Sequence, residues 1–221
     1  MRATITSIKQ EGTSQKIVTL QTEPFSFLPG QSIAINVNIP DKNILHQKRY
    51  YAIASAPGQA LELLIKDSTS TLGHTFYEHL KEGQEHTFEG PYGKIVLPET
   101  FSRIILIGGG SGIAPCMSII RTHYGKTPIL LFYSTKILAD TPYLPELEDL
   151  TKKGLLHVHA LTQEPHPEKH QGRITLELLK KHLSSLEGVY LLYGPQPMIK
   201  DVAALLTQLG IQKEQILFEA Y

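Results

Sequence analysis

The densest chemical signal in this 221-residue chain is RIILIGGGSGIAP, Arg103 to Pro115. Four aliphatic residues, Ile104 to Ile107, run directly into Gly108, Gly109 and Gly110, then Ser111, Gly112, Ile113 and, two residues on, a proline. Pro115 has the fixed φ of a first helical turn, where a missing N–H costs nothing. The stretch reads as strand, tight loop and helix N-terminus. Such a loop carries free backbone N–H groups and the positive end of a helix dipole, which is the chemistry of a phosphate site. Glycine also lets a diphosphate approach the backbone closely. The spacing is not G-x-G-x-x-G, because the sixth residue from Gly108 is Ile113 and from Gly110 it is Pro115. The same glycines would also serve a plain strand-to-helix turn.

A second pair is Arg49 and Tyr51 in KRYYAIAS. A guanidinium grips a diphosphate bidentately, and a tyrosine two residues along a strand faces the same side. Thr75 is expected to cap a helix over TFYEHLKEG, with Gly83 ending it. The ten histidines are scattered. His157 and His159 share one face of an expected strand, but no third ligand stands at a convincing spacing, which argues against zinc. HPEKH reads as a solvated loop. Cys116, the single cysteine, opens the helix after the glycines and reads as a small core residue.

These residues need elements to hold them. ATITSIKQ, KIVTLQT, SIAINVNI, YYAIAS, LELLIK and HTFEG are short runs of rough period-2 patterning, parted by Gly, Pro and polar turns. They predict an antiparallel β-barrel or sandwich. From about residue 100 the rhythm changes. RIILIGG, TPILLFYS, LHVHALT, GVYLLYG and QILFEAY alternate with the helical patterns APCMSIIRTHYG, LPELEDLTKKG, TLELLKKHLSSL and QPMIKDVAALLTQLG. That alternation predicts an α/β parallel sheet covered on both faces, with ligands at the strand C-termini. The expected domains are 1–98 and 99–221, with FEGPYGKIVLPETFS as the hinge.

Lys plus Arg number 21 and Asp plus Glu 21, so no basic field points to nucleic acid or an anionic membrane. No apolar run approaches the roughly 20 residues of a membrane span, and no signal peptide is visible. One cysteine excludes an internal disulfide and a protein-held Cys₄ iron–sulfur cluster. The chain is expected to be cytoplasmic.

GGGSGIAP resembles the GGTGIAP element of the ferredoxin–NADP reductase-like flavoproteins. LPGQSIAI is similar to that family's PGQ element, and KRYYAIAS to its R-x-Y-[ST]-x-x-S motif. GPYG resembles its GPxG turn, DTPYLPEL its D-x-x-Y-x-x-E-L, and YGPQPM its CGPxxM. QGRIT and the terminal FEAY have counterparts too. The matches follow the family's order over nearly the whole chain. The resemblance implies an N-terminal FAD-binding antiparallel β-barrel and a C-terminal NAD(P)-binding α/β domain. It implies hydride transfer from NAD(P)H to flavin, with electrons passing to an acceptor such as a ferredoxin, flavodoxin, other small redox protein or free flavin.

Residue by residue, the resemblance puts Arg49 on the flavin diphosphate and Tyr51 against the flavin ring. Ala52 stands where the family has Ser or Thr, so its backbone and that of Ile53 are left to serve the flavin edge. Ser55, Ile65 and Lys66 complete the strand residues on that side, and Gly73, His74 and Thr75 supply a helix start for the diphosphate. Gly110, Ser111, Gly112 and Ile113 would take the coenzyme phosphates, with Tyr133, Ser134 and Lys136 after the second parallel strand. Tyr193 replaces the family's cysteine beside the nicotinamide, before the turn at Gly194 and Pro195. Tyr221 would cover the flavin face, with Glu219 nearby. Gln163 stands where NADPH users of the family often carry arginine, so NADH is the expected coenzyme. Lys136 and Arg173 leave NADPH open. Two other readings compete: an electron-transfer subunit of a larger oxidoreductase, and a non-catalytic flavin- or nucleotide-binding module.

Overall fold

The computed structural model describes residues 1–95, 97 and 101–220. Six antiparallel strands come first: β1 (Arg2–Glu11), β2 (Gln15–Thr22), β3 (Ser32–Ile39), β4 (Ile44–Ala52), β5 (Leu61–Lys66) and β6 (Glu85–Tyr92). Their order is β4-β3-β6-β1-β2-β5. The two edges meet just beyond β4, where Ile53 bridges Leu63 and the Ala54 N–H donates to the Glu62 carbonyl at 2.7 Å. The sheet thereby closes into a barrel, which leaves no free edge between β4 and β5. Alternating residues fill it: Ile33, Ile35 and Val37 from β3, Leu61, Leu63 and Ile65 from β5, with Phe88 from β6. Phe76 and Tyr77, from a helix over Thr71–His79 (α1), pack into the same core.

That helix starts earlier than its sequence pattern suggests. Ser70, not Thr75, is the N-cap, accepting the Gly73 N–H at 3.2 Å. Thr75 lies inside the helix, its carbonyl contacted by His79 Nδ1 at 2.8 Å. The helix ends at His79, before Gly83.

The second sheet is parallel, in the order β10-β9-β8-β7-β11-β12. It contains β7 (Ile104–Gly109), β8 (Ile129–Thr135), β9 (Leu156–Leu161), β10 (His170–Gln171), β11 (Val189–Gly194) and β12 (Ile216–Ala220). Helices α2 (Ile113–His123) and α3 (Leu144–Lys152) cover one face, while α4 (Leu176–His182) and α5 (Gln196–Gln208) cover the other. In β7, Ile104 and Leu106 belong to the first core and Ile105 and Ile107 to the second. An unbroken aliphatic run is what a strand buried on both faces requires. Strand β10 corrects the reading of HPEKH as loop throughout, since His170 pairs with Ala160. The expected boundary at 98/99 lies outside the described residues.

The sheets are tied by charge. Arg121, on α2, donates to Glu62 of the barrel at 2.7 Å, to the Ala54 carbonyl at 3.0 Å and to both carboxylate oxygens of Glu146 on α3. Burial opposes its charge, but the two carboxylates raise its pKa above the usual value. Its guanidinium sits 5.2 Å from the Tyr143 ring centroid, and Tyr143 is held at φ 60° as the residue before α3. On the same seam the Ser118 hydroxyl donates to the Ser55 carbonyl at 2.7 Å. Further along, Asp140 accepts from the Thr13 N–H at 3.0 Å and its hydroxyl at 2.8 Å.

Tyr133, His159 and His157 form a stacked column, with centroids 5.4 and 5.5 Å apart. His159 Nε2 meets Thr135 Oγ1 at 2.9 Å. Burial, the largest cause, pushes His159 down to about 4 and His157 down to about 3. Among the described residues no three His, Cys, Asp or Glu side chains cluster as metal ligands.

Two outcomes are expected in urea unfolding. Arg121→Ala leaves Glu62, Glu146 and the Ala54 carbonyl without their partner and lowers stability by about 3 kcal/mol. The histidines make stability depend on pH. As pH falls through the unfolded value near 6.5, the unfolded chain takes up protons that the folded chain refuses, so stability drops. Between pH 7 and 5 His159 accounts for about 2 kcal/mol of that loss. His159→Phe flattens the profile by that amount, and an unchanged profile refutes the assignment.

Candidate functional site: a cradle on each domain

The glycine loop lies where β7 and β11 adjoin while their crossovers run to opposite sides, the switch point at which ligands enter such sheets. Gly110–Gly112 form one 3₁₀ turn, and α2 follows at Ile113. The glycines divide their work. A Cβ on Gly112 would collide with the Tyr193 carbonyl, so this glycine lets the loop press against the end of β11. Gly110 has φ +55° and no neighbour within 4 Å of a Cβ, and the Tyr133 hydroxyl donates to its carbonyl at 3.0 Å. Gly109 and Gly110 line a cavity of about 380 Å³. Ser111 is half-buried, Ile113 is in the core, and Cys116 is buried with its thiol pKa raised by desolvation.

Both domains wall that cavity. Ser134, Lys136, Arg173 and Pro195 face it from the parallel sheet, and Ser14, Gln15 and Lys66 from the barrel. Asp140 and Asp201 also reach it, but Asp140 is engaged by Thr13, and Asp201 lies 3.8 Å from Arg173. Gln163 is exposed and does not line it; its N–H donates to the Lys136 carbonyl at 2.9 Å.

On the barrel, Arg49 and Tyr51 project from the same side of β4, opposite Ile35 and Ile33 of β3. The Arg49 guanidinium lies over the first turn of α1. One of its nitrogens is 2.8 Å from where a Cβ on Gly73 would stand, beside the Ser68 hydroxyl. Cation and helix N-terminus converge there as a cradle for a phosphate-type anion. Burial raises the Tyr51 pKa while Arg49 works against it, and the Tyr51 ring centroid is 6.1 Å from that of Phe76.

Other expected residues stand apart from the cradle. His74 is exposed and meets Asp67 at 2.9 Å, a contact that raises its pKa. Thr75 is one turn further along α1. Ala52 pairs with Ser32 in the sheet, and the Ile53 N–H already donates to the Gln31 carbonyl at 2.9 Å. Ser55 is buried, its hydroxyl accepting the Glu62 N–H at 3.1 Å. Ile65 is part of the barrel core.

At the seam, Tyr193 pairs with Gly108 and Glu219 in adjacent strands. Its side chain is buried, and its hydroxyl has no partner among the described residues. That hydroxyl stands 2.6 Å from a Cβ built on Gly30, within LPGQSIAI. Glu219 turns a buried, unpartnered carboxylate oxygen toward Gly93 of GPYG, and burial raises its pKa. Gly194 and Pro195 follow at the start of α5. Tyr221 lies outside the described residues. Sequence reasoning missed Gln15, Asp140 and Met198 as cavity residues; Asp140 and Met198 stand within DTPYLPEL and YGPQPM, whereas no short-range pattern marks Gln15.

Residues 106–204 match the oxidoreductase NAD-binding domain family. The chain is 26% identical over 230 residues to a flavohemoprotein of Bacillus subtilis (strain 168), covering 96% of this chain and 57% of that protein. It is 30% identical over 213 residues to the reductase component of a Pseudomonas putida naphthalene 1,2-dioxygenase system ferredoxin–NAD(P)(+), over 90% of this chain and 62% of that one. The chain thus spans less than two thirds of these relatives. In structure it resembles the flavohem-like FAD/NAD-binding domain of a Vibrio cholerae nitric oxide dioxygenase, with a TM-score of 0.91 at 20% identity, over 100% of this chain and 98% of that one. It also resembles the ferredoxin reductase in carbazole 1,9a-dioxygenase, with a TM-score of 0.87 at 27% identity, over 100% and 68%. A closed antiparallel barrel is thus joined to a parallel sheet that matches the oxidoreductase NAD-binding domain family, and the whole chain is similar in fold to the ferredoxin reductase in carbazole 1,9a-dioxygenase.

Proposed function

We propose that this chain is an FAD-dependent, NAD(P)H-oxidising reductase of the cytoplasm that passes electrons to a small redox protein. The observation that carries the reading is the presence of two anion cradles, one on each domain. Arg49 over the first turn of α1 suits the flavin diphosphate, and the absence of a Cβ on Gly73 lets the guanidinium and the Ser68 side chain pack against that turn. Gly110, open to the cavity at the head of α2, suits the coenzyme diphosphate. The proposed domains are 1–98 for flavin and 99–221 for coenzyme.

Bound flavin supplies the ring that accepts hydride from the nicotinamide and releases electrons onward. The chain's own share is alignment and exclusion of water. Tyr51 offers a ring beside the cradle, anchored by Phe76. Tyr193 fills the seam below the switch point and shields it from solvent. Glu219, its pKa raised by burial, is able to hold a proton there. Tyr221, following Ala220 at the end of β12, is proposed as the residue covering the flavin. Ser111, Gly112 and Ile113 hold the loop, while Ser134 and Pro195 bound the coenzyme. Ile53 and Ser55 act through the barrel frame, since their polar groups are already engaged.

NADH is the proposed coenzyme. Gln163 is exposed and uncharged, and Arg173 is shared with Asp201. Lys136 remains to meet a 2′-phosphate, so NADPH binds more weakly rather than not at all. A second reading has support from coverage: spanning 57% and 62% of two relatives, the chain also suits the role of electron-transfer part in a larger assembly.

Visible absorption of the purified protein tests the proposal. It is expected to be yellow, or to become so with FAD, and to bleach anaerobically faster with NADH than with NADPH. A protein that takes up no FAD refutes the flavin reading, and one that stays oxidised under both coenzymes is a binding module. Arg49→Ala is expected to weaken FAD binding about 10- to 100-fold in fluorescence titration, the worth of a charge-assisted contact. Gln163→Arg is expected to improve NADPH affinity.

A further inference from the structure

We infer that Gln15, a residue of the barrel, is a direct coenzyme contact: its side-chain carbonyl accepts a hydrogen bond from a ribose hydroxyl of the dinucleotide. The inference rests on the coenzyme reading of the cavity.

Gln15 opens β2, where it pairs with Lys66 of β5, and its residue surface is 4% exposed. Its Nε2 donates to the Asp140 backbone carbonyl at 2.9 Å. That bond crosses between domains and fixes which way the amide points. Oε1 is consequently turned the other way, buried, with no partner among the described residues. Gln15 lines the same cavity as Gly109, Gly110 and Ser134.

A buried acceptor left unmade is costly, and a ligand that brings a donor removes the cost. The choice of donor follows from chemistry. Coenzyme phosphates carry no donor near neutral pH and suit Lys66 and Lys136 instead. A ribose carries hydroxyl donors. Asp140 competes with one carboxylate oxygen only, because the other already accepts two bonds from Thr13 and its backbone carbonyl takes the Gln15 amide. Gln15 thus offers an oriented neutral acceptor in a cavity that two cations also line. This is the arrangement that distinguishes a sugar from a phosphate.

Calorimetric titration decides the matter without relying on turnover. NAD⁺, and NAD⁺ analogues each lacking one ribose hydroxyl, are titrated into the wild-type protein and into Gln15→Leu. The substitution is expected to weaken NAD⁺ about fivefold, the worth of one neutral hydrogen bond. One analogue is expected to bind the wild type correspondingly more weakly and to lose nothing further on Gln15→Leu, because both changes delete the same bond. If every analogue binds the wild type as NAD⁺ does, or if the two losses simply multiply, the assignment is overturned. The analogue series on wild type stands alone should Gln15→Leu not fold. A wild-type protein that binds neither NAD⁺ nor NADP⁺ sinks the coenzyme reading itself, an outcome separate from NAD⁺ binding that ignores Gln15.

Discussion

The architecture turns on Arg121. One guanidinium from α2 reaches a barrel carboxylate, a barrel carbonyl and an α3 carboxylate. Placing that cation in a partly buried seam is costly, and two carboxylates together with a carbonyl offset the cost. The gain is geometric rather than energetic. A planar fork with five donors tolerates little rotation, so the barrel and the parallel sheet are held at one angle. The cavity exists only because of that angle, since Lys66 and Gln15 come from one domain and Gly110 and Lys136 from the other. Asp140 and Thr13 pin a second point of the seam, and two separated pins prevent rotation about either.

The glycine-rich loop shows how packing and binding share one motif. Gly112 is needed because the backbone of β11 crosses it, whatever ligand the cavity takes. Gly110 makes no such contact and keeps a left-handed backbone facing the open space. The turn reading holds at Gly112, and Gly110 is the glycine to which the phosphate proposal applies. The switch-point turn closes the doubly wound sheet with one glycine and leaves another free for an anion.

What was legible in the sequence follows the range of the interactions. Period-2 runs and unbroken aliphatic runs depend on neighbours a few residues away, and they marked the long strands and the parallel sheet. The start of α1 was misplaced because Ser68, Ser70, Thr71 and Thr75 are all capping types within one short stretch, and Gly73 looks like a breaker. Only the packing of Gly73 under Arg49 makes that glycine a helical residue. Two-residue β10 is too short for periodicity to register. The bond from Gln15 to Asp140 joins residues 125 apart, and although Asp140 opens the DTPYLPEL motif nothing local marks Gln15 as its partner. Arg49, Gly110, Lys136 and, on the barrel, Lys66 were named from the sequence, whereas Ser14 and Gln15 were not, because that part of the cavity wall is made by docking two domains.

The charge balance of the chain carries a further consequence. With 21 basic and 21 acidic residues, no long-range field draws an anionic coenzyme inward. Recognition must come from local arrangement, and the cavity supplies it. Lys66 and Lys136 stand on opposite walls, and Asp140, which lines the same cavity, is held low in pKa by its bonds to Thr13 and, more weakly, by the charges of those two lysines. The carboxylate that pins the domains therefore stays ionised beside both lysines and offsets part of their pull on a phosphate. Docking and anion selection are coupled through one charge, and loosening the seam at Asp140 would free the oxygen that Thr13 now holds at the same moment that it widened the cavity.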